Sequence, residues 1–157
     1  MKKILLIAAF MVAGFISANA QTEKGTLLLG GDISFQTSDG NSLFTAKPAV
    51  GYFIANNFAI GGQFTLFASD GFTSWAIGPF IRAYFAGSEK GKFYGQLGLN
   101  VGGASGTNTE VGAGIAAGYA IFLNRSIAID LGLSYDKTGD SKGIFGVGAG
   151  FQIHFKK

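Results

Sequence analysis

The sequence predicts an all-β chain: an eight-stranded antiparallel up-and-down transmembrane β-barrel preceded by a cleaved signal peptide. Three observations predict it. The N-terminus runs from basic to apolar to small residues, the order of an export signal. The rest of the chain divides into about eight segments in which every second residue is apolar, the period of a strand with two unlike faces. Within those segments the ionisable and amide side chains share the phase of the glycines, and the opposite phase carries no charge.

Lys2 and Lys3 precede the apolar run from Ile4 to Ile16, and Ser17-Ala18-Asn19-Ala20 supplies an A-x-A site with cleavage expected after Ala20. The run is shorter than the roughly 20 apolar residues of a helical span. The expected organisation is a signal peptide over 1–20 and a barrel domain over 21–157. Taking the first twenty from 157 residues leaves 137, a size suited to one domain. Lys2 and Lys3 carry two of the three net positive charges, so +1 is left and no basic patch argues for nucleic acid. With 0 Cys, a disulfide framework, a thiolate metal site and a lipid-modified cysteine are all excluded. The 26 Gly and 16 Phe beside 2 Pro, without low-complexity repeats, point to an ordered all-β chain.

The strands follow in order. The first spans about 26–36, with Leu27, Leu29, Ile33 and Phe35 on the apolar face and Asp32, Ser34 and Gln36 opposite. Turn residues over 37–42 lead to a second strand over 43–55, with Phe44, Val50, Tyr52 and Ile54 outward and Lys47 inward. Asn56-Asn57 signals a tight hairpin, because Asn tolerates positive φ. Strand three, 58–67, faces Gln63 inward; strand four, about 73–86, faces Arg82 and Tyr84 inward and Trp75, Ile77 and Ile81 outward. After Gly87–Gly91, strand five (92–102) sets Tyr94, Gln96 and Asn100 against Phe93, Leu97 and Leu99. Strand six (109–122) sets Glu110 and a run of small residues against Val111, Ile115, Tyr119 and Ile121. Strand seven (127–136) sets Asp130 and Asp136 against Ile129, Leu131, Leu133 and Tyr135. The last alternates from Phe145 to Phe155, with Gln152 and His154 inward. Pro48 and Pro79 each remove a ladder donor, so a bulge or strand end is expected near them.

A soluble sandwich would fill its polar face with Lys, Glu, Thr and Ser. Here that face is glycine and alanine with a few large polar residues, as a narrow lumen requires. Outward aromatics also fall into two rings. Phe35, Phe44, Trp75, Tyr135 and Phe145 lie near one set of strand ends, and Tyr52, Phe58, Phe85, Phe93, Tyr119, Phe151 and Phe155 near the other. Such girdles mark the two membrane interfaces.

On these residues the chain resembles the small outer-membrane barrels of the OmpA/OmpX type and their stand-alone barrel-domain relatives, over about 22–157. The telling pieces are Pro48-Ala-Val-Gly-Tyr-Phe-Ile-Ala-Asn-Asn-Phe-Ala-Ile-Gly61, which looks like that family's second hairpin, and the C-terminal Gly150-Phe-Gln-Ile-His-Phe155. In the latter, Gly150, Phe151, Ile153 and Phe155 resemble the signal read by the barrel-assembly machinery, although two lysines follow the Phe. The resemblance implies the outer membrane of a Gram-negative bacterium and assembly by that machinery. It also implies contact with outer-membrane lipids and lipopolysaccharide; no cofactor is expected, and the oligomeric state is left open with a monomer favoured. No cell-wall-binding domain is expected after the barrel. An even strand number puts both termini in the periplasm, with 37–42, 69–72, 103–108 and 137–142 as short outer loops.

Little in the chain points to catalysis. Val111–Gly118 contains G-x-G-x-x-x-G, but its glycines continue the strand phase instead of opening a helix. His154 is the only histidine and has no ligand set around it in sequence. The informative set is inward: Asp32, Lys47, Gln63, Arg82, Gln96, Asn100, Glu110, Asp130, Gln152 and His154. We expect Arg82 to pair with Asp130, and Lys47 with Asp32 or Glu110, in a polar plug that closes the lumen. The function expected is non-enzymatic, an envelope barrel with a plugged lumen. The alternatives are a small pore for water, ions or small solutes, and a soluble lipocalin-like carrier of an apolar ligand.

Overall fold

A computed structural model of the chain describes residues 22–38, 41–69, 72–104, 108–139 and 143–156. The expected signal peptide with Ala18 and Ala20, the tips of the four outer loops, and the Phe35 side chain lie outside the described residues.

Eight strands form one closed antiparallel sheet, each paired with its sequence neighbours and the first with the last. They are β1 (Leu27–Ser38), β2 (Asn41–Ala55), β3 (Phe58–Ser69), β4 (Phe72–Ser88), β5 (Gly91–Ala104), β6 (Glu110–Phe122), β7 (Ile127–Thr138) and β8 (Ile144–Phe155). Several run one to two residues further into the loops than the alternation predicts. There each hairpin continues pairing among polar residues, which carry no apolar signal.

The pairing fixes the lumen. Stepping from partner to partner leads from Leu27 through Tyr52, Ile60, Ile81, Leu97, Ile115 and Tyr135 to Phe145. Carried past Val147–Phe35, the β1–β8 register sets Phe145 opposite position 37, so the ladder returns ten residues from Leu27. A stagger of that size tilts the strands by about 40° and, with eight strands, gives a bore that side chains fill.

Burial follows the expected phase. Leu29, Val50, Ile77, Leu99, Leu131 and Phe151 are exposed on the outer wall, whereas Phe53, Phe80, Arg82, Tyr84, Asp130 and Gln152 are buried inside. Among the described residues thirty large apolar side chains are exposed, against ten apolar residues buried. Water would not tolerate that surface, but lipid does. Phe44, Trp75, Tyr135 and Phe145 are exposed near the loop end, and Tyr52, Phe93, Phe151 and Phe155 near the turn end, as the two girdles require. One charge departs from the apolar phase: the extra length of β7 puts Lys137 on the exposed outer face beyond Tyr135.

The prolines behave differently from the expectation. Both sit in mid-strand, paired with glycine on one side, Pro48 with Gly31 and Pro79 with Gly62. On the other side the pairing lapses between Ala46–Leu66 and Ala49–Gln63, and between Ile77–Val101 and Phe80–Gly98, while the register is kept. A missing N–H therefore costs a local rung without shifting the ladder. Beside Pro79 the strands crowd, and a Cβ on Gly78 would run into the Leu99 carbonyl. The register shifts lie instead at the turn end, between Phe53 and Ala55 and between Phe85 and Gly87, where Asn57 and Ala86 take positive φ.

Two substitutions test this frame through denaturant unfolding in lipid vesicles. Leu131→Arg, in the middle of the outer face of β7, should cost about 2–4 kcal/mol. Gly78→Ala should cost about 1–3 kcal/mol by overpacking against β5.

Candidate functional site in the lumen

The inward side chains form three tiers. The lowest closes the turn end. Thr22, ahead of β1, crosses the mouth: its Oγ1 donates to Asn57 Oδ1 (2.5 Å), and the Asn57 amide donates to its carbonyl (2.6 Å). Lys92 Nζ donates to Thr22 Oγ1 (2.7 Å) and Asn57 Oδ1 (3.0 Å), and all three residues are buried. Glu23 forms an ion pair with Lys156, tying the segment before β1 to the one after β8. Above this strap lies an apolar layer that includes Leu28, Phe53, Tyr84 and Phe122. His154 sits in it, with its ring 5.7 Å from both Phe53 and Phe122.

The middle tier is a continuous hydrogen-bonded chain. Arg82 donates through Nη1 to Asp130 Oδ2 (2.7 Å) and through Nε to Gln96 Oε1 (2.6 Å). Gln96 Nε2 donates to Gln63 Oε1 (2.9 Å). The guanidinium lies 4.3 Å from the centre of the Tyr94 ring, a cation–π contact. Asp130 Oδ2 also accepts from Gln152 Nε2, and Gln152 Oε1 accepts from the Tyr84 hydroxyl (2.6 Å) and lies 2.9 Å from His154 Nε2. Five strands, β3, β4, β5, β7 and β8, are thereby joined across the bore.

The upper tier is looser. Lys47 Nζ meets Asp136 Oδ2 at 2.5 Å. Beneath the loops is a chamber of about 50 Å³, bordered by Asp32, Ser34, Lys47, Gln63, Gln96, Ser134 and Asp136. Room of that size holds about three or four waters.

Glycine makes this filling possible. A Cβ at Gly132 would strike the Tyr94 hydroxyl, at Gly114 the Asp136 carboxylate, at Gly150 that of Asp32, and at Gly61 the Phe80 ring. Each of these side chains lies over glycine on the strand beside it, or for Tyr94 on the next two strands. The glycine phase of the sequence is thus the imprint of its polar phase.

The Arg82–Asp130 pairing matches the sequence expectation, and it gathers Gln63, Gln96 and Gln152 around it. The Lys47 expectation is corrected. Asp32 is its direct ladder partner, yet the ammonium reaches Asp136 instead. Glu110 is exposed at the loop-end rim over Gly139 and stands outside the network. Asn100 is buried but stands apart from the chain of bonds, its Oδ1 unpartnered. Tyr84, Tyr94, Asp136, Lys92, Asn57 and Thr22 belong to the lumen but were not singled out in sequence. Tyr84, Tyr94, Lys92 and Asp136 carry the inward phase, which was the available signal; nothing local marks Thr22.

The central pair gives a direct test. Arg82→Ala leaves Asp130, 1% exposed, without its counter-charge. Unfolding in vesicles should show a loss of about 3–5 kcal/mol, most of it recovered when Asp130 is also replaced by leucine.

No family model matches the chain, and no curated protein does. Solved structures are similar to it. Neisserial surface protein A shares 19% identity at a TM-score of 0.67, covering 83% of this chain and 96% of that one. The outer membrane protein OprG from Pseudomonas aeruginosa shares 11% at 0.64, covering 88% and 100%. The outer membrane enzyme PagL shares 13% at 0.50, covering 80% and 98%. With the closed ladder, the lipid-type exterior and the filled polar bore, these likenesses give the chain the fold of the small eight-stranded outer-membrane barrels.

Proposed function

We propose that the protein is an integral outer-membrane barrel with an envelope-structural role, both termini in the periplasm, and a lumen closed to solute flow. The observation that carries this reading is the stacking of two blocks. The Gln63–Gln96–Arg82–Asp130–Gln152–Tyr84 chain of bonds spans the bore, and the Leu28, Phe53 and Phe122 layer under it is capped by Thr22. A solute would have to break a buried ion pair and then cross an apolar constriction, and hydrophobic constrictions also exclude ions by dewetting.

The lipocalin-like alternative needs an apolar cavity and a polar exterior, the reverse of the distribution found. A non-enzymatic reading is supported by His154, whose ring is packed between two phenylalanines instead of facing a chamber. Partners of this reading are the surrounding outer-membrane lipids and lipopolysaccharide. The barrel-assembly machinery would act during insertion, through Gly150, Phe151, Ile153 and Phe155.

Planar-bilayer recording tests the closed lumen. The wild-type barrel should give no unitary current steps. Phe53→Ala combined with Arg82→Ala should give measurable leak if the two blocks are what close it. Steady wild-type channels would replace this reading with the small-pore alternative.

A further inference from the structure

The charge balance around the upper chamber is uneven. The charged groups around the chamber and its ion pairs are Asp32, Asp130 and Asp136 against Lys47 and Arg82, one carboxylate in excess, with the Tyr94 hydroxyl alongside and Tyr84 and His154 further down, beyond Gln152. Lys47 is taken by Asp136 at 2.5 Å and Arg82 by Asp130 at 2.7 Å. The residual negative charge falls on Asp32. Among the described residues the one cation within 4 Å of it is Arg82 Nη2, at 4.0 Å, Lys47 being turned to Asp136, and it makes no hydrogen bond to any of them. Its Oδ1 lies over the bare backbone of Gly150, which offers no donor side chain. Its side chain is one-third exposed, and the space it faces is the 50 Å³ chamber. A carboxylate partly enclosed by low-dielectric wall without a matched counter-charge is costly.

We propose that this chamber is a binding site for one small monovalent cation, either an alkali-metal ion or a primary ammonium group, held at the Asp32 carboxylate. The other lining groups suit that guest. Ser34 and Ser134 offer hydroxyl oxygens, and a chamber with room for a few waters takes an ion of this size with part of its hydration shell. A divalent ion suits it less, since no group of three His, Cys, Asp or Glu among the described residues converges to hold a metal. Because the bore is blocked below by Arg82 and the apolar layer, the cation enters and leaves by the loop end. The site therefore binds without transporting. The inference goes beyond the envelope role and depends only on the interior of the barrel, so it stands or falls independently of where the protein resides.

The test is a titration of the refolded full barrel, labelled with ¹³C-carboxyl aspartate, in zwitterionic nanodiscs. Potassium chloride and, separately, methylammonium chloride are added at constant ionic strength, set with bulky N-methylglucamine chloride. A saturable shift of the Asp32 carboxyl signal is expected with either cation, with a smaller one at the neighbouring Asp130 and Asp136 carboxyls; Asp32→Asn should abolish the response at those two while Glu110→Gln leaves it intact. A second readout needs no variant: saturating potassium should move the protonation midpoint of Asp32 to lower pH. A linear, non-saturating response, a response unchanged in Asp32→Asn, or a midpoint identical with and without potassium would overturn the proposal. The last result would mean that a proton alone neutralises Asp32.

Discussion

Closure of the backbone ladder is the constraint on which the rest depends. Inside hydrocarbon each unpaired N–H or C=O costs several kcal/mol, so a sheet that crosses it must leave no edge. The β1–β8 pairing removes the edge here. With eight strands and a ten-residue stagger, closure also sets the bore, and the bore sets the side-chain volume that fits inside. Large residues such as Phe80 and Tyr94 are accommodated over glycines of neighbouring strands, where a Cβ would strike them. Composition, packing and topology are thus three views of one geometric condition. The two prolines show its tolerance: a rung can be lost in mid-strand as long as the register survives.

The contents of the bore change character along its axis. At the turn end the filling is apolar and aromatic, with a buried ammonium, Lys92, held by neutral oxygens of Thr22 and Asn57. In the middle, two charges are enclosed: besides each other, Arg82 meets the Gln96 amide and the Tyr94 ring, and Asp130 the Gln152 amide. Bonds of this kind are stronger than in water and more damaging when broken, so the tier is rigid as a unit. Towards the loops the packing relaxes into a chamber lined by polar groups.

The fold was legible in the sequence because its signal is local. Alternation, turn residues and girdle aromatics are properties of single strands or hairpins, and eight strands repeating the same phase made the inside and outside unambiguous. Arg82–Asp130 was legible because both residues are large, charged and inward at mid-strand. Lys47–Asp136 was not, since which inward residues meet across a barrel depends on the stagger summed over all its strands. Asp32 and Lys47 lie opposite in the ladder, and pairing them was the natural local inference. The four-carbon stem of Lys47 carries its charge past that neighbour instead. Thr22 was invisible for another reason: it precedes the first strand, and a residue in an irregular segment has no period to betray where it points.

The strap that joins Glu23 to Lys156 has a kinetic meaning as well. Every other seam of the barrel is a hairpin whose strands are separated by a short turn, whereas Leu27 meets Phe155 only after nearly the whole chain has been gathered. By polymer entropy that closure costs about 3 kcal/mol more than closing a four-residue turn, and non-local pairing forms late. The β1–β8 seam is therefore the last zipper to shut and the first place from which it would unzip. Opposite charges at its outer end, with Thr22 anchored across the mouth beside them, fasten the wall where thermal opening would begin.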